Sequence, residues 1–417
     1  SRSLALLFLP AALAAIALAT LTPGEPGPHV FPLTCLVCGP AGGADVARNV
    51  LLFLPFGAAL ALRSTRLRTA LALSLALTLL VESAQLWVVP GRDPTLSDVL
   101  ANTLGGLLGY LIAAHAPLWL QPTRRQARRL VTAGALLWLA QLALTAAGLQ
   151  WAPPPAPYVE NVLPPVGAQM RAFEGELLGR WVDGTPSGTG FGGAAVEAGL
   201  ARGQLAVRAT VRPAYPPGML RPLVVYFSRA WEPVLVFGQQ GRDLVFRART
   251  RSQEAHLGGP TFRLADVFPP LDSLPGGRSS GDDPITVAAS VDGPAVRLSG
   301  SVRGAAARAA TLERRLSLGW AFVVPDLAPA RRIGPLLGAL WLAGPLLPLA
   351  FWARQAAPPG PRGALIGAIA TAVGAAAAVW GVSAATGLTV GATETVAAAL
   401  AILLGIVLGA RRRRPAT

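Results

Sequence analysis

The sequence predicts a multi-pass α-helical membrane protein of about eight spans, with an extracytoplasmic all-β jelly-roll sandwich inserted between spans five and six. Three observations predict it. The 417 residues are 52% hydrophobic and only 14% charged, with a mean hydropathy of +0.49, too apolar for an ordinary soluble protein. Apolar runs of about 20 residues, enough to cross ~30 Å of hydrocarbon at ~1.5 Å per residue, lie on both sides of a long polar section. That section alternates apolar and polar residues with period two, which is strand behaviour.

The predicted spans are Leu4 to Leu21, Ala47 to Leu62, Thr69 to Val89, Asp98 to His115 and Leu130 to Gly148, then Gly334 to Trp352, Gly363 to Ala385 and Thr393 to Ala410. The first, with Arg2 ahead of it and "ALAT" at Ala17 to Thr20, also has the look of a cleavable signal peptide; its apolar run is longer than is usual for one, which favours a retained helix. Connector charge sets the orientation. "RSTRLR" (Arg63 to Arg68), "RRQARR" (Arg124 to Arg129), "RQAAPPGPR" (Arg354 to Arg362) and "RRRR" (Arg411 to Arg414) fall on one side, which the positive-inside rule makes cytoplasmic together with both termini. The other connectors hold Arg48 and Arg92, with Arg331 and Arg332 as the exception. The chain therefore divides into a helical membrane domain at 1–149, a β-sandwich at 150–328 on the outer side and C-terminal helices at 329–417.

Strands are expected at Gln204 to Pro213, Arg221 to Trp231, Pro233 to Thr250, Pro284 to Val302 and Leu316 to Pro325. Two of these segments read as hairpins, with glycines in "GQQGRD" and "VDGPA" supplying positive φ at the turns. About 175 residues of short strands with Gly/Pro punctuation suit a two-sheet sandwich. The stretches "FEGELLGRW" (Phe173 to Trp181), "LAVRATVRP" and "FGQQGRDLVFRART" are similar to the concanavalin/laminin-G-like jelly rolls, which implies a spacer, a partner-binding module or a glycan-binding one. Trp181 and Trp231 could stack on sugar rings or fill the core. Asp282, Asp283 and Asp292 are too scattered for a calcium site.

The formal charge of +15 is carried by arginine alone. Most of it sits beside apolar segments, where anionic lipid and helix orientation account for it, so membrane lipids are expected partners and nucleic acid is not. No metal and no cofactor is expected. Cys35 and Cys38, in "TCLVCG", have only His29 and Asp45 nearby, short of a four-ligand zinc set, and read as a structural disulfide or paired thiols. "GGLLG" (Gly105 to Gly109) and "GAIATAVGAAAA" (Gly367 to Ala378) read as close-packing helix faces.

"VESAQLWVVPGRDPTLSDVLANTLGG", Val81 to Gly106, places polar groups inside apolar runs. Glu82 lies about seven residues before Val89, roughly 10 Å below the outer surface, with Gln85 one turn further out. Arg92 lies in the connector, and Asp98 and Asn102 share a face of the next helix. A carboxyl at that depth costs roughly 2.5–3.5 kcal/mol and should turn into the bundle to pair, with Arg92 as the expected partner and Arg48 and Asn49 as further donors.

These residues resemble the VanZ-like family, named for a teicoplanin-resistance protein. "DVARNVLLFLPFG" (Asp45 to Gly57), then "VESAQLWVVPGRDPTLSDVLANTLGGLLGY" (Val81 to Tyr110), keep its order of asparagine, "LF-P-G", "E-x-x-Q", loop arginine and "D-x-x-x-N-x-x-G" across Leu33 to Ala114. The resemblance implies that Asn49, Glu82, Gln85, Arg92, Asp98 and Asn102 are the polar signature, without fixing a reaction. Three readings stay open: a polar clamp between helices, a pocket for a cell-wall or lipid-linked ligand with an effect on glycopeptide antibiotic sensitivity, or a membrane-embedded hydrolase or transferase. Ser83 and Ser97 are the nucleophiles in the motif, and neither has a histidine in sequence reach, His115 lying at the far end. Transport has less support, since the sequence carries no repeated halves and no broken helices.

Overall fold

The protein is described from a computed structural model, for residues 2–23, 31–163, 170–212, 219–268, 284–302, 307–324 and 330–411. Six helices come first: α1 (Arg2–Thr20), α2 (Gly42–Leu62), α3 (Leu67–Trp87), α4 (Leu96–Ala114), the short α5 (Ala116–Leu120) and α6 (Arg124–Gly148). Among the described residues seven helical stretches are long and apolar enough to cross a membrane; α1 contributes only a shorter apolar run, Phe8–Thr20. His29, Asp282, Asp283 and Arg412 to Arg414 lie outside the described residues.

Small residues let α2 and α4 touch backbone to backbone. A Cβ on Gly57 would land on the Gly106 carbonyl oxygen, and one on Gly109 on the Leu54 oxygen. With lipid as apolar as any side chain, such close contact is what holds helices together. The "GGLLG" stretch therefore packs as expected, and on α10 (Pro361–Thr386) Gly367 meets the backbone of α9 (Leu346–Ala356) and Ala375 and Ala378 lie against the same core, while Gly374 faces open space.

α6 belongs by its packing with the C-terminal helices: Trp138, Leu142 and Leu149 share a core with Leu342, Leu346 and Leu349 and with Ile402 and Ile406. The predicted sixth span is broken there, into α8 (Ala330–Ala343) and α9, with α11 (Ala392–Arg411) completing the set. The break has a covalent cause. Pro345 has no N–H to donate to the carbonyl of Trp341 four residues back, so that oxygen is set free. Gln141 Nε2 takes it at 2.6 Å, and Trp138 Nε1 takes the Leu342 oxygen at 3.1 Å. A neighbouring helix thus supplies the donors that the lipid cannot.

The polar section folds into strands β1 (Tyr158–Glu160), β2 (Glu176–Val182), β3 (Thr185–Pro186) and β4 (Gly190–Gly192), then helix α7 (Ala194–Arg202). After it come β5 (Gln204–Arg212), β6 (Leu220–Phe227), β7 (Pro233–Gln240), β8 (Asp243–Ala248), β9 (Phe262–Leu264), β10 (Ile285–Asp292), β11 (Ala295–Val302) and β12 (Arg308–Glu313). They form two six-stranded antiparallel sheets, ordered β4-β1-β6-β7-β8-β9 and β12-β11-β10-β5-β2-β3. The expected hairpins are β7–β8 and β10–β11, turning at Gly241 and Gly293 with φ of 60° and 54°. Inward residues of both sheets, among them Val207, Phe237, Phe246, Val287 and Leu298, make one core. The expected strand from Leu316 is instead a 3-10 helix, Leu316–Phe322, because this segment leaves the sheets and buries Leu316 and Phe322 among α6 and α8.

The sandwich grips the helices at a single end. Arg314, 5% exposed, donates to the Leu149 carbonyl at 2.7 Å and the Gly293 carbonyl at 2.9 Å, and its guanidinium lies 4.3 Å from the Trp151 ring centre. Burial pushes its pKa down to about 10, so it stays charged at neutral pH. Ser317 donates to Glu394 of α11 at 2.6 Å, and a 3-10 helix, Arg251–Ala255, presents the His256 carbonyl to the Ala44 N–H at the start of α2, 3.2 Å away. The basic connectors Arg63 to Arg68 and Arg354 to Arg362 lie at the opposite ends of the helices.

Replacing Gln141 by Leu strands the Trp341 carbonyl and should lower stability by about 0.6–1.7 kcal/mol. Adding Pro345→Ala gives that carbonyl a backbone donor, so the double variant should regain most of the loss. Thermal unfolding of the wild type, Gln141→Leu, Pro345→Ala and the double variant in detergent measures both effects.

Candidate functional site

The first four N–H groups of a helix have no partner in their own helix, and inside a membrane each must find one. At the start of α4 all four are met. Thr95, the N-cap, gives its N–H to Glu82 Oε2 at 3.3 Å. Leu96 and Ser97 give theirs to the carbonyls of Leu33 at 2.7 Å and Cys35 at 3.1 Å, and Asp98 gives its own to Thr95 Oγ1 at 3.3 Å. The Thr95 hydroxyl in turn donates to Asp98 Oδ2 at 2.8 Å. A disulfide joins Cys35 and Cys38, so the loop supplying two of the four acceptors is closed on itself.

This arrangement fixes the carboxylates of Glu82 and Asp98 on either side of one threonine. Glu82 is 8% exposed. Asn49, about two turns into α2, donates its side-chain amide to Asp98 Oδ1. One turn deeper in α4, Asn102, 1% exposed, donates to Thr78 Oγ1 at 2.9 Å, and its own Oδ1 accepts no hydrogen bond. The site is thus two carboxylates and an amide carbonyl, an assembly of acceptors. Because the N–H groups at the helix start are all spent, the dipole end of α4 offers no cradle for a phosphate.

The expectation for Arg92 is corrected. Arg92 does not pair with Glu82; its Nε and Nη2 donate to the carbonyls of Thr22 at 3.0 Å and Ala19 at 3.1 Å. Gln85 joins it, donating to the Thr20 carbonyl at 2.9 Å. The reason is again a helix end: the last carbonyls of α1 need donors, and Arg92 and Gln85 provide them. Arg48 pairs with Asp45 one turn before it in α2. The predicted signature therefore splits in two, with Asn49, Glu82, Asp98 and Asn102 around the start of α4 and Gln85 and Arg92 clasping α1. His115 caps the far end of α4, away from the site.

Two participants escaped the sequence reading. Thr95 stands three residues before Asp98, the spacing of a capping box, and that pattern could have found it. Thr78 left no such signal, since a lone threonine in an apolar helix usually bonds its own backbone. No group of three or more His, Cys, Asp or Glu suited to a metal ion occurs among the described residues.

Residues 12–119 match a protein-family model described as VanZ/LLP1. The matched stretch begins within α1 and runs through α5, wider at both ends than the motif similarity, and stops before α6. No curated protein and no solved structure matches the chain. The match supports a VanZ-like domain over these residues, followed by a β-rich domain and further apolar helices.

Thr95→Val removes the hydroxyl that both serves the Asp98 N–H and bonds its carboxylate. It should destabilise the protein by about 1 kcal/mol, and Thr95→Ser should not. Hydrogen exchange at Asp98 reads the loss directly. Opening the Cys35–Cys38 disulfide should speed exchange at Leu96 and Ser97 instead, since their acceptors are in the loop.

Proposed function

We propose that this VanZ-like membrane protein binds a cell-wall or lipid-linked ligand of the envelope at the Glu82–Asp98 site, from the outer face of the membrane. The observation that carries this reading is the pair of carboxylates that one threonine holds at the start of α4, with Arg92 bound elsewhere. A polar clamp built only to lock helices gains by pairing unlike charges, and here the arginine next in sequence is spent elsewhere. A site made of acceptors takes a ligand that donates: sugar hydroxyls, amide N–H groups or an ammonium, rather than a phosphate. The concentration of Arg on the connectors at the other end supports an outer location for the site and the sandwich. An effect on glycopeptide sensitivity is what the family resemblance implies.

The carboxylate pair also favours a second reading, a hydrolase or transferase in which one carboxyl acts as acid and the other as base. The two are separable. Asp98→Asn keeps an acceptor for Thr95, and Glu82→Gln keeps one for the Thr95 N–H, so both variants should fold. Binding predicts that each loses about 10–100-fold in affinity for an added lipid-linked glycan, as read by native mass spectrometry. Catalysis predicts retained binding with loss of product. Unchanged binding and unchanged glycopeptide susceptibility in both variants would leave only the clamp.

A further inference from the structure

The start of α4 uses only part of what its two carboxyls offer. Glu82 gives Oε2 to the Thr95 N–H, and its Oε1 accepts no hydrogen bond among the described residues. Asp98 takes one hydrogen bond on each oxygen, from Asn49 and from Thr95, where a carboxylate oxygen has room for two. The two helices repeat the arrangement one turn deeper, with Thr78 under Glu82 on α3 and Asn102 under Asp98 on α4. Asn102 is 1% exposed, and its Nδ2 is turned to Thr78. That leaves its Oδ1, which no donor reaches, as a third open acceptor at the foot of the site.

Charge narrows the donor. At this end of the helices the described residues of the VanZ-like domain bring four carboxyls, those of Asp45, Glu82, Asp93 and Asp98, against two guanidiniums, those of Arg48 and Arg92. The chain as a whole runs the other way, at a formal +15. Arg48 pairs with Asp45 and Arg92 donates to the carbonyls of α1. Two carboxyls around one threonine at the edge of the hydrocarbon ionise together only at a cost, which a cation beside them offsets. A sugar hydroxyl or an amide donates without bringing charge, whereas a primary ammonium brings three N–H donors and the charge together.

The rim of the site shows what such an ammonium is attached to. The loop that caps Leu96 and Ser97 exposes Leu33 by 57%, Leu36 by 55% and Val37 by 50%. Leu36 and Val37 lie between the two cysteines, so the disulfide closes the turn that presents them. Leu96 and Leu100 of α4 are exposed beside them, in line with the apolar flank of that helix. This continuous apolar surface suits acyl chains and is costly against water.

Taking Glu82 and Asp98 as the ligand site proposed above, on which this step rests, we infer that they bind a lipid whose polar end is a primary ammonium. The ammonium donates to Glu82 Oε1 and to the Asp98 carboxylate, and the acyl chains lie along Leu33, Leu36 and Leu100. A quaternary ammonium carries the same charge with no N–H to donate. A bare calcium ion supplies charge but wants about six to eight oxygens, and it leaves the apolar rim without an occupant.

The test titrates the full chain in neutral detergent with phosphatidylethanolamine, phosphatidylcholine, phosphatidylglycerol and soluble glycerophosphoethanolamine, counting bound molecules by native mass spectrometry, with calcium chloride as competitor. Phosphatidylethanolamine should bind about tenfold more tightly than phosphatidylcholine, its counterpart without N–H donors, and than phosphatidylglycerol. Glycerophosphoethanolamine, the same head group without chains, should bind more weakly by about tenfold or more. Glu82→Gln and Asp98→Asn should each abolish the preference for phosphatidylethanolamine over phosphatidylcholine. Leu36→Ser with Val37→Ser leaves both carboxyls and should weaken phosphatidylethanolamine towards the level of the soluble head group. Equal binding of the ethanolamine and choline lipids by the wild type overturns the inference, as do a preference that survives both carboxyl variants and displacement of the lipid by calcium. The added lipid-linked glycan is read on the same samples: if the carboxyl variants lose it while the wild type does not tell ethanolamine from choline, the ammonium fails and the site stands, and if they lose neither ligand, both fail.

Discussion

The start of α4 is the constraint on which the VanZ-like domain depends. Four backbone N–H groups lie at the membrane boundary, where water cannot be relied on to satisfy them, and each is met by a different device: a carboxylate from α3, two carbonyls from a disulfide-closed loop, and the hydroxyl of the helix's own N-cap. Those devices bring α3, the loop and α4 to one point. The Asn49–Asp98 bond then adds α2, whose glycine contacts with α4 run down the rest of the interface. The candidate site is a by-product of this capping, in the sense that the carboxylates are where they are because a helix end needs acceptors.

That origin explains how much was legible in the sequence. Glu82, Asp98, Asn49 and Asn102 stood out because polar side chains inside apolar runs are costly, and the structure does bring them around one helix start. Arg92 was misassigned for the same reason that made it visible. A lone arginine beside a buried glutamate invites a Coulombic pairing, whereas carbonyls at the end of α1, which leave no trace in sequence, make the stronger claim on its donors. Backbone acceptors were also the missing half of the account at Pro345. An apolar run with one proline reads as a span, and the break became visible only with Gln141 and Trp138 in contact.

In the sandwich burial on one face imposes the period-two pattern of β5 and β10, whereas β6, β7 and β8 are buried on both faces and carry near-continuous apolar runs. The segment at Leu316 misled because its apolar residues serve a different surface. Leu316 and Phe322 alternate as a strand would, yet they are buried against membrane helices rather than across a sheet. Period alone cannot say which partner an apolar face meets. The same limit applies to Trp181, whose place beside Arg208 depends on strand pairing across residues 27 apart.

The sandwich starts and finishes in one spot. Leu149, just before it, and Leu316, just after it, lie in the same apolar core, and Arg314 ties its last strand back to the Leu149 carbonyl. To the helical bundle the whole domain is therefore a loop joining two adjacent helices. The folded domain itself holds these two ends together, so the bundle does not have to close a flexible loop of that length. The membrane half can thus carry a large external domain without altering its own helix contacts, and the domain's size is free to follow whatever it meets outside.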